Sequence, residues 1–97
     1  MKVIWLPAAK GDRAELLNFI ASENPGAAAR MDKLLSDAAA RLGNFPKSGR
    51  PGKIAGTREL IPHRNYRLVY EVHHETVWIL ALIQVARQWP PASRDKT

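Results

Sequence analysis

No cysteine occurs among the 97 residues, so neither disulfides nor a thiolate metal site can hold this chain together. Long apolar runs are missing as well. The longest, VWILALIQVA over residues 77–86, is far shorter than a membrane span. The apolar stretch of the opening MKVIWLPAAK is too short for the core of a signal peptide. A cytoplasmic protein with no membrane association is expected. Acidic residues are scarce too: nine Asp and Glu stand against fifteen Lys and Arg, a net charge of +6. Such an excess favours an anionic partner, either nucleic acid or an acidic protein. The three histidines, His63, His73 and His74, have no carboxylate or thiolate spacing around them that completes a metal site. No serine has a partner histidine at a diagnostic spacing. Neither a cofactor nor a metal is expected.

What is present reads as one domain over residues 1–97. A short β-prone stretch, Val3 to Leu6, is stopped by Pro7, which has no N–H to give a ladder. From Ala8 to Ser22 the period turns helical, with Leu16, Leu17 and Ile20 on one stripe and Lys10, Asp12, Arg13 and Glu15 mostly off it. Asn24-Pro25 is an N-cap followed by proline at the first helical position, so a second helix starts there. It carries Met31, Leu34, Leu35, Ala38 and Leu42 at helical spacing and ends on a cap at Gly43-Asn44. Residues 46–57, PKSGRPGKIAGT, contain three glycines, two prolines and three cations. They read as a loop, either a plain connector or one that lies along an acidic partner. Three strands follow: Arg58 to Ile61, Tyr66 to His73 and Val77 to Val85.

The last two strands form a hairpin whose turn length decides which residues share a face. A three-residue turn, His74 to Thr76, sets Tyr66, Leu68, Tyr70 and Val72 beside Trp78, Leu80 and Leu82. It sets Arg67, Val69 and Glu71 beside Ile79, Ala81, Ile83 and Arg87. This register is expected, because it collects the larger apolar side chains for the helices to cover. One helical layer covers one face of a sheet, so the second face, with Ile79, Ala81 and Ile83, calls for another cover. Arg58, Arg67 and Arg87 lie on or at the ends of neighbouring strands and together could hold phosphates by paired hydrogen bonds. Arg87 also belongs to ARQWP, which ends the last strand with a large ring, Trp89.

The segments ENPGAAAR, GRPGKIAGTRELIPHRNYRLVYEV and VWILALIQVARQWP, in that order, resemble the RelE/ParE superfamily of toxins from bacterial type II toxin–antitoxin systems. The resemblance spans nearly the whole chain. It implies an α+β fold: an N-terminal strand, a helical hairpin, then a mostly antiparallel sheet of about four strands. It also implies a cognate antitoxin that wraps the toxin. In RelE-like members, which cut messenger RNA on the ribosome, Arg58, Arg67 and Arg87 match basic positions of the cleavage pattern. Leu60, Trp89 and Ser93 depart from it, where a lysine, an arginine and a tyrosine are expected. GTREL and ARQWP look more like the ParE branch, whose members poison DNA gyrase and need no catalytic residue.

A ParE-like gyrase inhibitor is therefore expected, with the ribosome-dependent nuclease as the alternative; whether the chain is an enzyme turns on that choice. The expected target- or antitoxin-binding residues are Arg58, Arg67, Ile79, Ala81, Ile83, Arg87 and Trp89. The antitoxin is expected to cover the apolar second face. Arg67 and Arg87, as surface residues, are expected to be replaceable by alanine at little cost to folding.

Overall fold

The computed structural model describes residues 1–84. Along the chain run β1 (Lys2–Trp5), α1 (Pro7–Glu23), α2 (Pro25–Asn44), β2 (Arg50–Pro51), β3 (Arg58–His63), β4 (Tyr66–His73) and β5 (Thr76–Gln84). This is the α+β order expected, with one strand more than the composition of 46–57 suggests. The strands form a single sheet ordered β1-β5-β4-β3-β2. All neighbours are antiparallel except β1, which runs parallel to β5. In chain order the two helices stand between β1 at one edge of the sheet and β2 at the other, and both pack on one face of it.

Both helices start on prolines at positions where no N–H is needed. The Asn24 side chain accepts the Ala27 N–H at 3.1 Å and caps α2, as the sequence indicates. The other end of α2 differs from expectation. The helix runs through Gly43 to Asn44, and Phe45 is its C-cap. Gly43 is small for a different reason: a Cβ there would meet the Met1 carbonyl oxygen at 2.9 Å and a Val3 methyl at 3.2 Å. Its absence lets α2 press against β1.

Between helices and sheet lies the core: Ala9, Leu35, Ala38, Ala39 and Leu42 against Leu68, Tyr70, Val77, Ile79 and Leu82. The Ala-rich face of α2 lets the helix approach closely, while α1 buries only Ala9 completely. Polar ties hold the hairpin of helices. Arg13 pairs with Asp32 at 2.6 Å, donates to Ser36, and lies 4.7 Å above the Trp5 ring. Its neighbour Asp12 turns to the sheet, where its Oδ2 accepts the Leu82 N–H at 3.1 Å. Asp12→Ala is expected to cost about 1–2 kcal/mol, since a partly buried backbone donor loses a charged acceptor. Faster amide exchange at Leu82 than at other core amides of β5 is the measurement that checks it.

The β4–β5 hairpin corrects the expected register. Its turn has two residues, not three. His74 and Glu75 both take positive φ (52° and 56°), the backbone twist that suits a two-residue hairpin, and His73 pairs with Thr76. Pairing runs without a break to Tyr70↔Ile79, then resumes at Val69↔Ala81, leaving Leu80 as an extra residue in β5. Beyond this bulge the faces are those expected, with Leu82 opposite Leu68 and Ile83 opposite Arg67. Before it they are exchanged. Ile79 and Val77 face the helices, and Trp78 stands opposite Glu71 on the other side. The shift assigned to the turn lies inside the strand.

Candidate functional site

Arg67 lies on the sheet face away from the helices and meets Glu59 of the neighbouring strand. The register Glu59↔Val69 and Leu60↔Leu68 places Glu59 on that face too, diagonally across from Arg67. Arg67 Nη1 donates to Glu59 Oε1 at 2.8 Å. The side chains are only 11% and 2% exposed. Arg50, on the edge strand, places Nη2 3.4 Å from the same oxygen but is itself largely exposed. Glu59 Oε2 and Arg67 Nε have no hydrogen-bond partner among the described residues. Arg67 is thus an internal ion-pair member, not the surface cation expected.

Arg58 stands opposite Tyr70, whose side chain is in the helix-facing core, so Arg58 and Arg67 project to opposite faces. Arg58 Nη1 donates to the Gly49 carbonyl at 2.7 Å. The structure therefore does not assemble Arg58 and Arg67 into one phosphate-gripping cluster, because one residue of offset along a strand reverses the side. Arg87 and Trp89 lie outside the described residues. Of the apolar residues expected on the second face, Ile79 is fully buried against the helices and is unavailable to a partner. Ala81 and its opposite number Val69 do lie on the second face but are buried within the chain. Ile83 is partly exposed and is the one of the three that reaches a surface cleft.

That cleft, about 290 Å³, opens between α1 and the end of the β4–β5 hairpin remote from its turn. Leu16, Phe19, Tyr66, Leu82 and Ile83 give it apolar walls, and Asp12 and Glu15 carry acid to its edge. Phe19 is 65% exposed, the most open of the large apolar side chains described. A site of this make-up suits an apolar side chain flanked by a cation. Among the described residues it brings together no convergent acid, base and nucleophile of the kind covalent chemistry needs. His63 is tied locally, its Nδ1 accepting the Asn65 N–H at 3.1 Å, and His73 stacks on His74 at the hairpin tip. Among the described residues no cluster of His, Cys, Asp or Glu is arranged to hold a metal ion.

Residues 3–89 match the family described as the ParE toxin of type II toxin–antitoxin systems, parDE. The chain belongs to the ParE toxin family. It is 33% identical over 90 residues to the inferred toxin Y4kP of Sinorhizobium fredii, covering 92% of this chain and 93% of that protein. Two solved structures share the fold. A chain of the chromosomal ParDE system from P. aeruginosa superposes with a TM-score of 0.78 at 20% identity, covering 88% of this chain and 96% of that one. The YoeB/ParE toxin from Agrobacterium tumefaciens gives 0.61 at 19% identity, covering 87% and 98%.

Within this ParE-family toxin, sequence reasoning missed Glu59, Asp12 and Phe19. Glu59, the penultimate residue of GTREL, gives only a partial signal: an acid on a strand beside arginines suggests an ion pair, but not its burial. Asp12 and Phe19 carry no such signal: their roles depend on where α1 lands on the sheet.

Proposed function

We propose that this ParE-family toxin inhibits DNA gyrase by binding and is neutralised by a cognate antitoxin, both in the cytoplasm. The observation that carries the choice of binding over RNA cleavage is the engagement of Arg67 by buried Glu59. A guanidinium already neutralised by an internal carboxylate is poorly suited to stabilise a developing phosphorane, and Arg58, on the opposite face, is spent on a backbone carbonyl. Departures at Leu60 and Ser93 point the same way, since they leave no group at those positions to move a proton. Purified toxin added to gyrase with supercoiled plasmid is expected to give inhibition and trapped DNA breaks. Toxin added to translating ribosomes is expected to leave messenger RNA intact. Codon-dependent messenger cuts with undisturbed gyrase would reverse the assignment.

The α1–β5 cleft is the proposed seat for an apolar segment of the antitoxin. It joins a preformed concavity to an exposed aromatic ring, the combination from which interface anchors are built. Phe19→Asp is expected to weaken antitoxin binding roughly 10- to 100-fold, as an anchor worth about 1.5–3 kcal/mol is lost. Because Phe19 is exposed, the melting temperature of the free toxin should hardly move. Titration calorimetry with the cognate antitoxin tests this, and an unchanged affinity would place the antitoxin elsewhere.

A further inference from the structure

The end of α2 and the two loops beside β2 carry cations and no acid of their own. Residues 38–58 contain five cations, Arg41, Lys47, Arg50, Lys53 and Arg58, and no acidic residue. Arg41, Lys47, Arg50 and Lys53 are exposed, and among the described residues Arg41, Lys47 and Lys53 make no ion pair. Phe45, between Arg41 and Lys47, is 64% exposed.

Glycine and proline loops are ordinarily soft, but this one is clamped from below. The buried Tyr70 hydroxyl donates to the Pro46 carbonyl at 2.7 Å and accepts the Gly49 N–H at 2.9 Å. Arg58 binds the Gly49 carbonyl, and Ser48 N–H closes a turn on Phe45 at 3.0 Å. The second loop is pinned likewise, with Gly52 N–H on the Thr57 carbonyl and both Thr57 N–H and its hydroxyl on the Ile54 carbonyl. The cations thus stand on a preorganised base, which lowers the ordering cost of binding.

We infer that the surface bearing Arg41, Lys47, Arg50 and Lys53 binds the phosphate backbone of DNA. Charge of a single sign along an edge, half of it lysine, is the footprint of phosphate contact. Protein interfaces are depleted in lysine at their centres and combine apolar anchors with both signs of charge. This surface is separate from the α1–β5 cleft and does not depend on the gyrase assignment.

The experiment is fluorescence anisotropy of a short labelled DNA duplex with purified toxin, without gyrase, across a range of salt concentrations. Wild-type protein is expected to bind with an affinity that falls steeply with salt. The triple variant Arg41→Gln, Lys47→Gln and Lys53→Gln should bind at least tenfold more weakly. Its log–log salt slope should flatten by roughly two to three, near one unit per lost phosphate contact. A control variant with the same loss of charge on the helices, Lys10→Gln, Arg30→Gln and Lys33→Gln, should keep most of the affinity.

Equal loss in both variants would mean that net charge alone attracts DNA, and would overturn the site. So would wild-type binding by the loop variant, or no binding of duplex by the wild type. If Phe45→Ala abolishes binding to gyrase while duplex affinity and its salt slope are the same in both triple variants, the surface serves a protein instead. Because gyrase is absent from the binding assay, failure here leaves the proposed function standing. Conversely, DNA binding without gyrase inhibition would remove only that function.

Discussion

Arg67→Ala should be the most damaging single truncation of a charged residue among those described, with a loss of about 3–5 kcal/mol in unfolding free energy. The reason lies in what it leaves behind. Glu59 is 2% exposed, and among the described residues Arg67 is its only close cation that is itself buried. Removing the guanidinium leaves a carboxylate in the protein interior facing, among the described residues, Arg50 alone at 3.4 Å, and an uncompensated buried charge carries a penalty of that size. For a domain of this length the melting temperature should fall by something on the order of 15 °C or more.

This reverses what the sequence suggested, because an arginine alternating with apolar residues on a strand reads as solvent-facing. The companion double variant Glu59→Leu with Arg67→Met should recover most of the loss. The native pair is incompletely hydrogen-bonded, with Glu59 Oε2 and Arg67 Nε unpartnered among the described residues, so a well-packed apolar pair competes with it. Urea unfolding of the three proteins decides the matter. A single variant as stable as wild type would show that Glu59 is hydrated in solution. A double variant no better than the single would show that the pair is required for packing.

Tyr70→Phe should be the next largest loss, roughly 2–3 kcal/mol, although it removes one oxygen atom and no apolar contact. That oxygen serves two backbone groups at once, the Pro46 carbonyl and the Gly49 N–H, and the buried amide cannot turn to water without opening the loop. Gly49→Ala attacks the same clamp from the other side. A Cβ there would sit 2.7 Å from the Tyr70 hydroxyl and 2.8 Å from the Glu59 carbonyl, so the loop must move off the sheet. Both variants should show raised amide exchange over residues 46–52 with β4 and β5 still protected. Equal loss of protection throughout the sheet would mean that the loop and the core unfold as one unit.

The order of elements was legible in the sequence for reasons that are local. Pro7 and Asn24-Pro25 fix where helices begin through φ and a missing N–H, and a 3.6-residue apolar period on 25–44 sets the buried face of α2 whatever it packs against. Family membership was legible as well, since GTREL, YRLVYEV and ARQWP follow one another in that order along the chain. The faces of β5 were not. A bulge at Leu80 adds one residue without leaving a glycine or proline to mark it, so Ile79, expected outside, went to the core, while Ala81 and Ile83 stayed on the expected side.

The fate of the charged residues was decided only by tertiary structure. Alternation along β3 and β4 says which side Arg58, Glu59 and Arg67 take once the register is known. The register itself depends on pairing between strands, and burial depends on what closes over them. That is why Arg67 reads as a surface residue in one dimension and is an internal ion-pair partner in three. The α1–β5 cleft follows the same rule. Asp12 and Phe19 are ordinary helix residues until α1 is laid across the sheet, where one turns inward to a β5 amide and the other is left standing beside an apolar hollow.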